Sequence, residues 1–367
     1  MSGAAAHGRP VKVLVYTDAR YRGGAEMTLA QVLAGLPDRI EVTVAGVVPE
    51  VVDWLAAHRP GAAIEHLPRI EGRTDLGPMI AHARRFRRVA PDIVHFNLGS
   101  VSSSQWAIFI AVVKGRYRTL VVENSPVGAW SSMSATLKRF TSPRLSAHVA
   151  VGEATARTVE EVVKLKTGSV GTLYHGVPDV AHDLPREPHD GPVILNIARH
   201  QHVKGVDVLL QAMALLPADV KLVQVGRGEE TDRLLALRDE LGLGDRVEFR
   251  DLPWDVRAAD VIAGFDLFVL PSRNEGLPVT VMEAMLAGVA VVATDVGAIR
   301  EELTDGETGR IVPPEDPSAL AKAIGDVLSD DGVRAAVGRR AREVALERFT
   351  VEATVARYCE LYDRLVG

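Results

Sequence analysis

A single cysteine, Cys359, stands in 367 residues, which excludes an internal disulfide framework and a cysteine-rich metal site. Aromatic residues are scarce at 5%, so the cores must be aliphatic, as in proteins that alternate strands with helices. No uninterrupted apolar run approaches the roughly 18–20 residues that span a bilayer, and Met1 to Pro10 lacks the apolar centre of a signal peptide. The expected location is the cytoplasm. Positive charge is lacking as well. A net charge of −6 argues against a nucleic-acid binder whose affinity rests on overall charge.

Hydrophobic residues are plentiful at 47%, and the length suits two domains better than one core. Short β-branched runs alternate with amphipathic stretches. Strands are expected at Val11–Tyr16, Glu41–Val48, Asp92–Phe96, Thr119–Glu123, His148–Val151 and Val170–Tyr174, with helices such as Ala25–Leu36, Leu76–Val89 and Ala154–Lys164 between them. From Pro178 to Pro192 the composition turns to Pro, His, Asp and Glu, as in a linker. A second series follows, with strands Val193–Ala198, Val220–Val225, Val247–Phe249, Leu267–Leu270 and Val289–Ala293. Its helices are expected at Val206–Leu216, Glu229–Leu241, Val279–Ala287 and Pro317–Leu328, before an almost wholly helical tail from Asp331 to Val366. Such alternation implies parallel sheets joined by right-handed crossovers. The expected layout is an α/β chain of two Rossmann-like, doubly wound domains, residues 1–180 and 181–350, facing a central cleft. A C-terminal helix, 351–367, would return to the first domain.

The most informative stretch runs from Arg273 to Met285. Leu267–Leu270 reads as a buried strand, a polar turn from Ser272 to Gly276 follows, and an apolar-periodic segment opens behind Pro278, a residue suited to a first helical turn. Glu275 thus sits at the carboxyl end of a strand and Glu283 early in the next helix, where open parallel sheets bind ligands. The amides of Gly276 and Leu277 and the positive helix end favour anionic oxygens. Two carboxylates beside an anion site make sense if the ligand also carries hydroxyls, because a carboxylate can accept both protons of a vicinal diol. A sugar nucleotide meets both demands. Arg199 and Lys204 occupy the loop after Val193–Ala198, where they could grip a diphosphate. Gly226-Arg227-Gly228 and Asp295-Val296-Gly297 are tight turns after two further strands. Gly23 and Gly24, at a helix start after the first strand, could offer amides to phosphate.

Together these residues resemble the retaining glycosyltransferases of family 4, which have the GT-B fold. The likeness covers nearly the whole chain and is strongest from Val193 to Val312, through Asn-Ile-Ala-Arg, Lys-Gly, Glu-Gly-Leu-Pro, Glu-Ala-Met-Leu-Ala-Gly and Asp-Gly-Glu-Thr-Gly-Arg-Ile-Val. The resemblance implies a hexosyl- or N-acetylhexosaminyl-transferase that keeps the anomeric configuration, uses a nucleotide diphosphate sugar, UDP-linked by family frequency, and needs no metal or other cofactor. No Asp-x-Asp segment of the metal-dependent kind occurs. By the same resemblance Arg199 and Lys204 would hold the leaving diphosphate, Glu275 the transferred sugar and Glu283 the ribose diol. Gly24 would approach the phosphate, and Leu252 would offer main chain to the base.

Three positions depart from the family pattern. Asn97 stands in the slot of a frequent histidine, a second histidine is missing near Glu123-Asn124-Ser125, and His175 replaces an asparagine before Gly176. Either His95 or Asn97 could face the sugar, since alternation puts both on one face; His95 also reads as a core histidine. Arg227 reads as a donor contact or a surface arginine. The run Arg84, Arg85, Arg87 and Arg88 reads as the solvated face of a helix packed through Ile80, Phe86 and Val89, or as a contact for an anionic membrane or acceptor. Rival activities on this fold are a sugar phosphorylase, a nucleotide-sugar epimerase and an inactive sugar-nucleotide-binding partner. The acceptor, which could be a small molecule, a lipid-linked saccharide or a protein, has no motif of its own.

Overall fold

The computed structural model describes residues 9–125, 132–179, 191–251 and 259–367. Leu252 and the middle of the expected linker lie outside them. Two compact units form: Met1–His175 with Val351–Gly367, and Gly176–Thr350.

In the first unit, seven parallel strands make one sheet: β1 (Val11–Thr17), β2 (Ile40–Gly46), β3 (Ala63–His66), β4 (Ile93–Leu98), β5 (Arg118–Glu123), β6 (Ala147–Ala150) and β7 (Gly171–Thr172). Their spatial order is β3-β2-β1-β4-β5-β6-β7, so the winding reverses between β1 and β4. Helices α1 (Gly24–Gly35), α2 (Pro49–Ala57), α3 (Leu76–Val89), α4 (Gln105–Lys114), α5 (Ser132–Thr141) and α6 (Glu153–Val163) link the strands. All six residues of β4 are buried, as expected of a parallel strand covered on both faces. Val94, Phe96 and Leu98 pack with Phe86 of α3 and Ile108 of α4. His95 and Asn97 take the opposite face. Along α3 the inward stripe is Met79, His82, Ala83, Phe86 and Val89. Ile80, expected to pack, is 50% exposed, because its neighbours at 79 and 83 already fill the stripe.

The second unit has six parallel strands: β8 (Val193–Ile197), β9 (Lys221–Val225), β10 (Val247–Arg250), β11 (Leu267–Leu270), β12 (Ala290–Thr294) and β13 (Arg310–Val312). Their order is β10-β9-β8-β11-β12-β13, with the reversal between β8 and β11. Linking them are α7 (Val206–Leu215), α8 (Thr231–Glu240), α9 (Ala259–Ile262), α10 (Val279–Leu286) and α11 (Ile299–Glu302), followed by α12 (Pro317–Leu328) and α13 (Asp331–Arg348). Leu209, Met213 and Ile324 from α7 and α12 share a core with Ile194, Leu222 and Val269; α10 and α13 pack together against β12.

The helical tail breaks at Phe349 and Thr350, where the Phe349 carbonyl accepts the Val177 N–H at 2.8 Å. Beyond the break, α14 (Val351–Val366) packs on α1 and β4 of the first unit. No helix among the described residues is long and apolar enough to cross a membrane.

Candidate functional site

The winding reversal of the second unit sets the loops after β8 and β11 side by side, the position where open α/β sheets bind ligands. The β8 loop ends in a 3-10 turn, His202–Lys204, before α7. The β11 loop carries Ser272, Arg273 and Glu275 to the start of α10. Lys204 meets Glu275 between them: Nζ donates to Oε1 at 2.8 Å and to Oε2 at 2.9 Å. Ser272 Oγ donates to Oε1 of the same carboxylate at 2.6 Å. The Glu275 side chain is 9% exposed and that of Lys204 22%, so the pair sits at the floor of the edge rather than on the open surface.

Arg273 is the clamp of this arrangement, a role no motif announced. Its guanidinium forks onto Asp207 of α7 at 2.8 and 3.0 Å, reaches Glu315, and donates to the His202 carbonyl at 2.7 Å. Its backbone N–H donates to the Val203 carbonyl at 2.8 Å. One residue thereby ties the β11 loop to the turn bearing Lys204 and to the first turn of α7. Hydrogen bonds to Asp207 and Glu315 raise the guanidinium's pKa further. Burial works against the Asp207 charge, yet Arg273 and Arg233 hold its carboxyl below the usual range. The only sequence signal was an arginine two places before Glu275.

Backbone approach fixes the rest of the loop. Gly297 stands at φ +56, and a Cβ there would lie 2.1 Å from the Glu275 carbonyl, so only glycine lets the β12 loop close on this one. Ala298 N–H donates to the Gly276 carbonyl at 2.9 Å. The N–H groups of Gly276 and Leu277 donate to nothing among the described residues, and they precede the positive end of α10. Pro278 is the N-cap of α10, with extended backbone, and the helix begins at Val279 as expected. Glu283 lies half-buried in α10.

The remaining expected residues fall differently. Arg199 lies exposed in the loop after β8, and among the described residues its guanidinium has no partner. Arg227 forms a surface ion pair with Asp251. The tightness at Gly226 is internal: at φ +135, a Cβ would lie 2.1 Å from the Ala198 carbonyl, so the glycine serves the packing of two loops. Leu252 lies outside the described residues.

In the first unit, Gly23 caps α1 and its N–H donates to Glu26 Oε2 at 3.3 Å, so that amide already has an acceptor. Gly24 faces open space on its side-chain face. Asn97 accepts from Asn124 at 2.9 Å and its amide lies 3.4 Å from Glu26 Oε1, which also takes the Thr17 hydroxyl at 3.3 Å. Burial pushes the Glu26 carboxyl up, against the hydrogen bonds that favour its charge. Glu26 was given no role from the sequence, and the structure puts it at this unit's own winding reversal.

His95 requires a correction as a sugar contact. It is fully buried, its Nδ1 meets the Tyr362 hydroxyl at 2.8 Å, and its ring stacks on Tyr358 at 5.5 Å. Burial, with the neighbouring His175, lowers its pKa to about 3. Alternation correctly put His95 and Asn97 on one face, but α14 covers the first and α1 the second. The arginine run is solvated in part: Arg88 is largely exposed, while Arg85 pairs with Glu65.

Residues 181–344 match the family model for glycosyl transferases, group 1. The lipopolysaccharide core biosynthesis mannosyltransferase LpcC of Rhizobium leguminosarum bv. viciae is 31% identical over 252 residues, 62% of this chain and 71% of that protein. A D-inositol 3-phosphate glycosyltransferase of Xylanimonas cellulosilytica is 38% identical over 185 residues, 48% of this chain. The match to it spans 43% of that protein, and the chain spans about half the length of most such relatives. Among solved structures, Anabaena HepE in complex with UDP superposes with a TM-score of 0.82 at 20% identity, over 96% of this chain and 100% of that one. With UDP-glucose bound, the TM-score is 0.79. At such identity the likeness speaks for the fold alone. The chain belongs to the group 1 glycosyltransferases, and its two parallel-sheet units are the Rossmann-like halves of a GT-B fold.

Proposed function

We propose that this chain transfers a hexose or N-acetylhexosamine from a UDP-linked donor to an acceptor hydroxyl, in the cytoplasm, with retention of configuration and without a metal. The observation that carries this reading is the Lys204–Glu275 pair, held at the β8/β11 reversal by Arg273 and Asp207. Lys204 and the unpaired Arg199 supply two permanent cations from one loop, enough to hold a diphosphate without a divalent ion. Glu275 has Oε1 taken by Lys204 and Ser272 but keeps a lone pair on Oε2 for a sugar hydroxyl. The open amides of Gly276 and Leu277 add donors for phosphate oxygens.

Preorganised donors of this kind stabilise charge where it develops, here on the leaving diphosphate. In a retaining reaction that diphosphate takes the acceptor proton on the face it leaves, and Lys204 and Arg199 bear its charge. Glu283 accepts from the ribose diol. The choice of UDP draws on HepE, solved with UDP and with UDP-glucose, and the choice of a hexose draws on the mannosyltransferase relatives.

A thermal-shift screen of UDP-, GDP-, ADP- and TDP-sugars tests the donor, because a ligand that binds only the folded chain raises its melting temperature. The largest rise is expected with a UDP-sugar. A larger rise with another base overturns the UDP assignment, and no rise with any of them overturns the donor site.

A further inference from the structure

A cavity of about 330 Å³ lies within the first unit, at the carboxyl edge of its sheet. Loops after β1, β2, β3 and β4 wall it, and the start of α4 opens into it. Ser104, the N-cap of α4, stands at φ 58, a left-handed conformation that costs a serine energy and that tends to persist where function demands it. Asp18 fixes this turn by accepting the Ser104 N–H at 2.7 Å. The strain is not repaid by capping. Ser104 is only 7% exposed, yet its hydroxyl makes no hydrogen bond among the described residues, and the Oε1 of neighbouring Gln105, 4% exposed, is unmet as well. Both residues line the cavity.

Arg20 and Arg69 line the same cavity, both exposed, and among the described residues neither guanidinium has a partner. A helix start, a buried unmet hydroxyl and two unpaired guanidinium groups together describe a receptor for an oxyanion. The other walls suit a polyol. The Glu71 carboxylate can accept hydroxyl protons, and the half-buried Trp106 can cover the C–H face of a ring. Asp18 and Glu71 bring carboxylates to the same walls, and Asp18 already holds the Ser104 N–H, so the oxyanion is placed against Arg20, Arg69 and the Ser104 hydroxyl.

We propose that this cavity takes the acceptor, and that the acceptor is a small polyol bearing an oxyanion, either a phosphate monoester or a carboxylate. The assignment rests on reading the chain as a sugar transferase, but its test does not need turnover. Calorimetric titration of the full chain, with UDP present, would compare glucose, glucose 6-phosphate and gluconate. At least one charged member is expected to bind about tenfold or more tightly than glucose. Stronger binding of glucose 6-phosphate identifies a phosphate acceptor, and stronger binding of gluconate a carboxylate. The exposed double substitution Arg20→Gln/Arg69→Gln should abolish the preference while leaving UDP affinity and the melting temperature unchanged. Ser104→Gly should raise the melting temperature by relieving strain, yet weaken the charged ligand. Equal or absent binding of the charged members, or a preference that survives the double substitution, overturns the proposal. Loss of UDP binding alone would instead count against the donor site, so the two failures can be told apart.

Discussion

Lys204 and Glu275 pair where both side chains are largely buried. Removing the cation leaves a carboxylate with 9% of its side chain exposed facing only Ser272, and an orphaned buried acceptor of that kind costs about 1–3 kcal/mol. Lys204→Ala should therefore lower the melting temperature more than Lys204→Ala/Glu275→Ala does, while each single change cuts turnover by about a hundredfold or more. Denaturation and steady-state rates of the two singles and the double check this. Equal melting temperatures for the single and the double would show that the pair contributes nothing to folding, and near-normal turnover in either single would remove it from catalysis.

Glu302 is a second acid with a large effect at residue scale. It is fully buried at the end of α11, and neither oxygen finds a hydrogen bond among the described residues. Burial, then the charges of Glu275 and Glu301, lifts its pKa well above the ordinary 4.5, against Arg348. The folded chain thus keeps a proton that the unfolded chain releases. Its contribution is fully present below about pH 4.5 and is lost as pH climbs toward the folded value. Glu302→Gln should melt higher than the parent at pH 8, with the gap closing by pH 5; a gap independent of pH would contradict the assignment.

At the scale of elements, the site is two loops and the clamp between them. Arg273 touches both without reaching the edge where a donor would lie, so it acts as a positioning residue. Arg273→Ala should raise the donor KM and lower kcat together, because Lys204 and Glu275 lose their common anchor. It should also destabilise the chain by about 1–3 kcal/mol, because Asp207 loses its bidentate partner and keeps only the longer contact with Arg233. Arg273→Lys keeps the charge but loses the fork, and it should recover only part of each effect. Unchanged kinetics in the alanine variant would make the clamp a purely structural tie.

The elements were legible where burial leaves an apolar pattern, a continuous run in a strand covered on both faces or a helical period in an amphipathic helix. Leu267–Leu270 and the helix Leu76–Val89 sit where the pattern put them. Of the edge strands, Gly171–Thr172 and Val247–Arg250 fall where expected, and two others do not. The strand Ala63–His66 buries only Glu65, so no apolar alternation marks it, and Arg310–Val312 is too short to show a period. Glu275 and Lys204 could be read because a strand end, a proline and a helix period fixed their place. Arg273, Asp207 and Ser104 could not, since their roles depend on which loops become neighbours, and strand order fixes that rather than local spacing. His95 misled for the same reason, because the element covering it arrives from Val351–Val366, far along the chain.

At the scale of the molecule, two parallel sheets each reverse their winding once, and each reversal gathers polar groups at its carboxyl edge. In the second unit these are Arg199, Lys204 and Glu275, the residues of the proposed donor site. In the first they are Glu26, Asn97 and Asn124, in the same unit as the cavity walled by Arg20, Arg69 and Ser104. The proposed division of labour rests on this difference: one edge offers fixed cations and open amides, the other hydroxyls, amides and a mixed-charge wall. Calorimetric titration of UDP-glucose into the intact chain and into Lys204→Ala and Arg199→Ala tests the central claim most directly. The account predicts that each substitution weakens binding by about tenfold or more, as expected for a lost charge-assisted contact to diphosphate; undiminished affinity in both variants would contradict it.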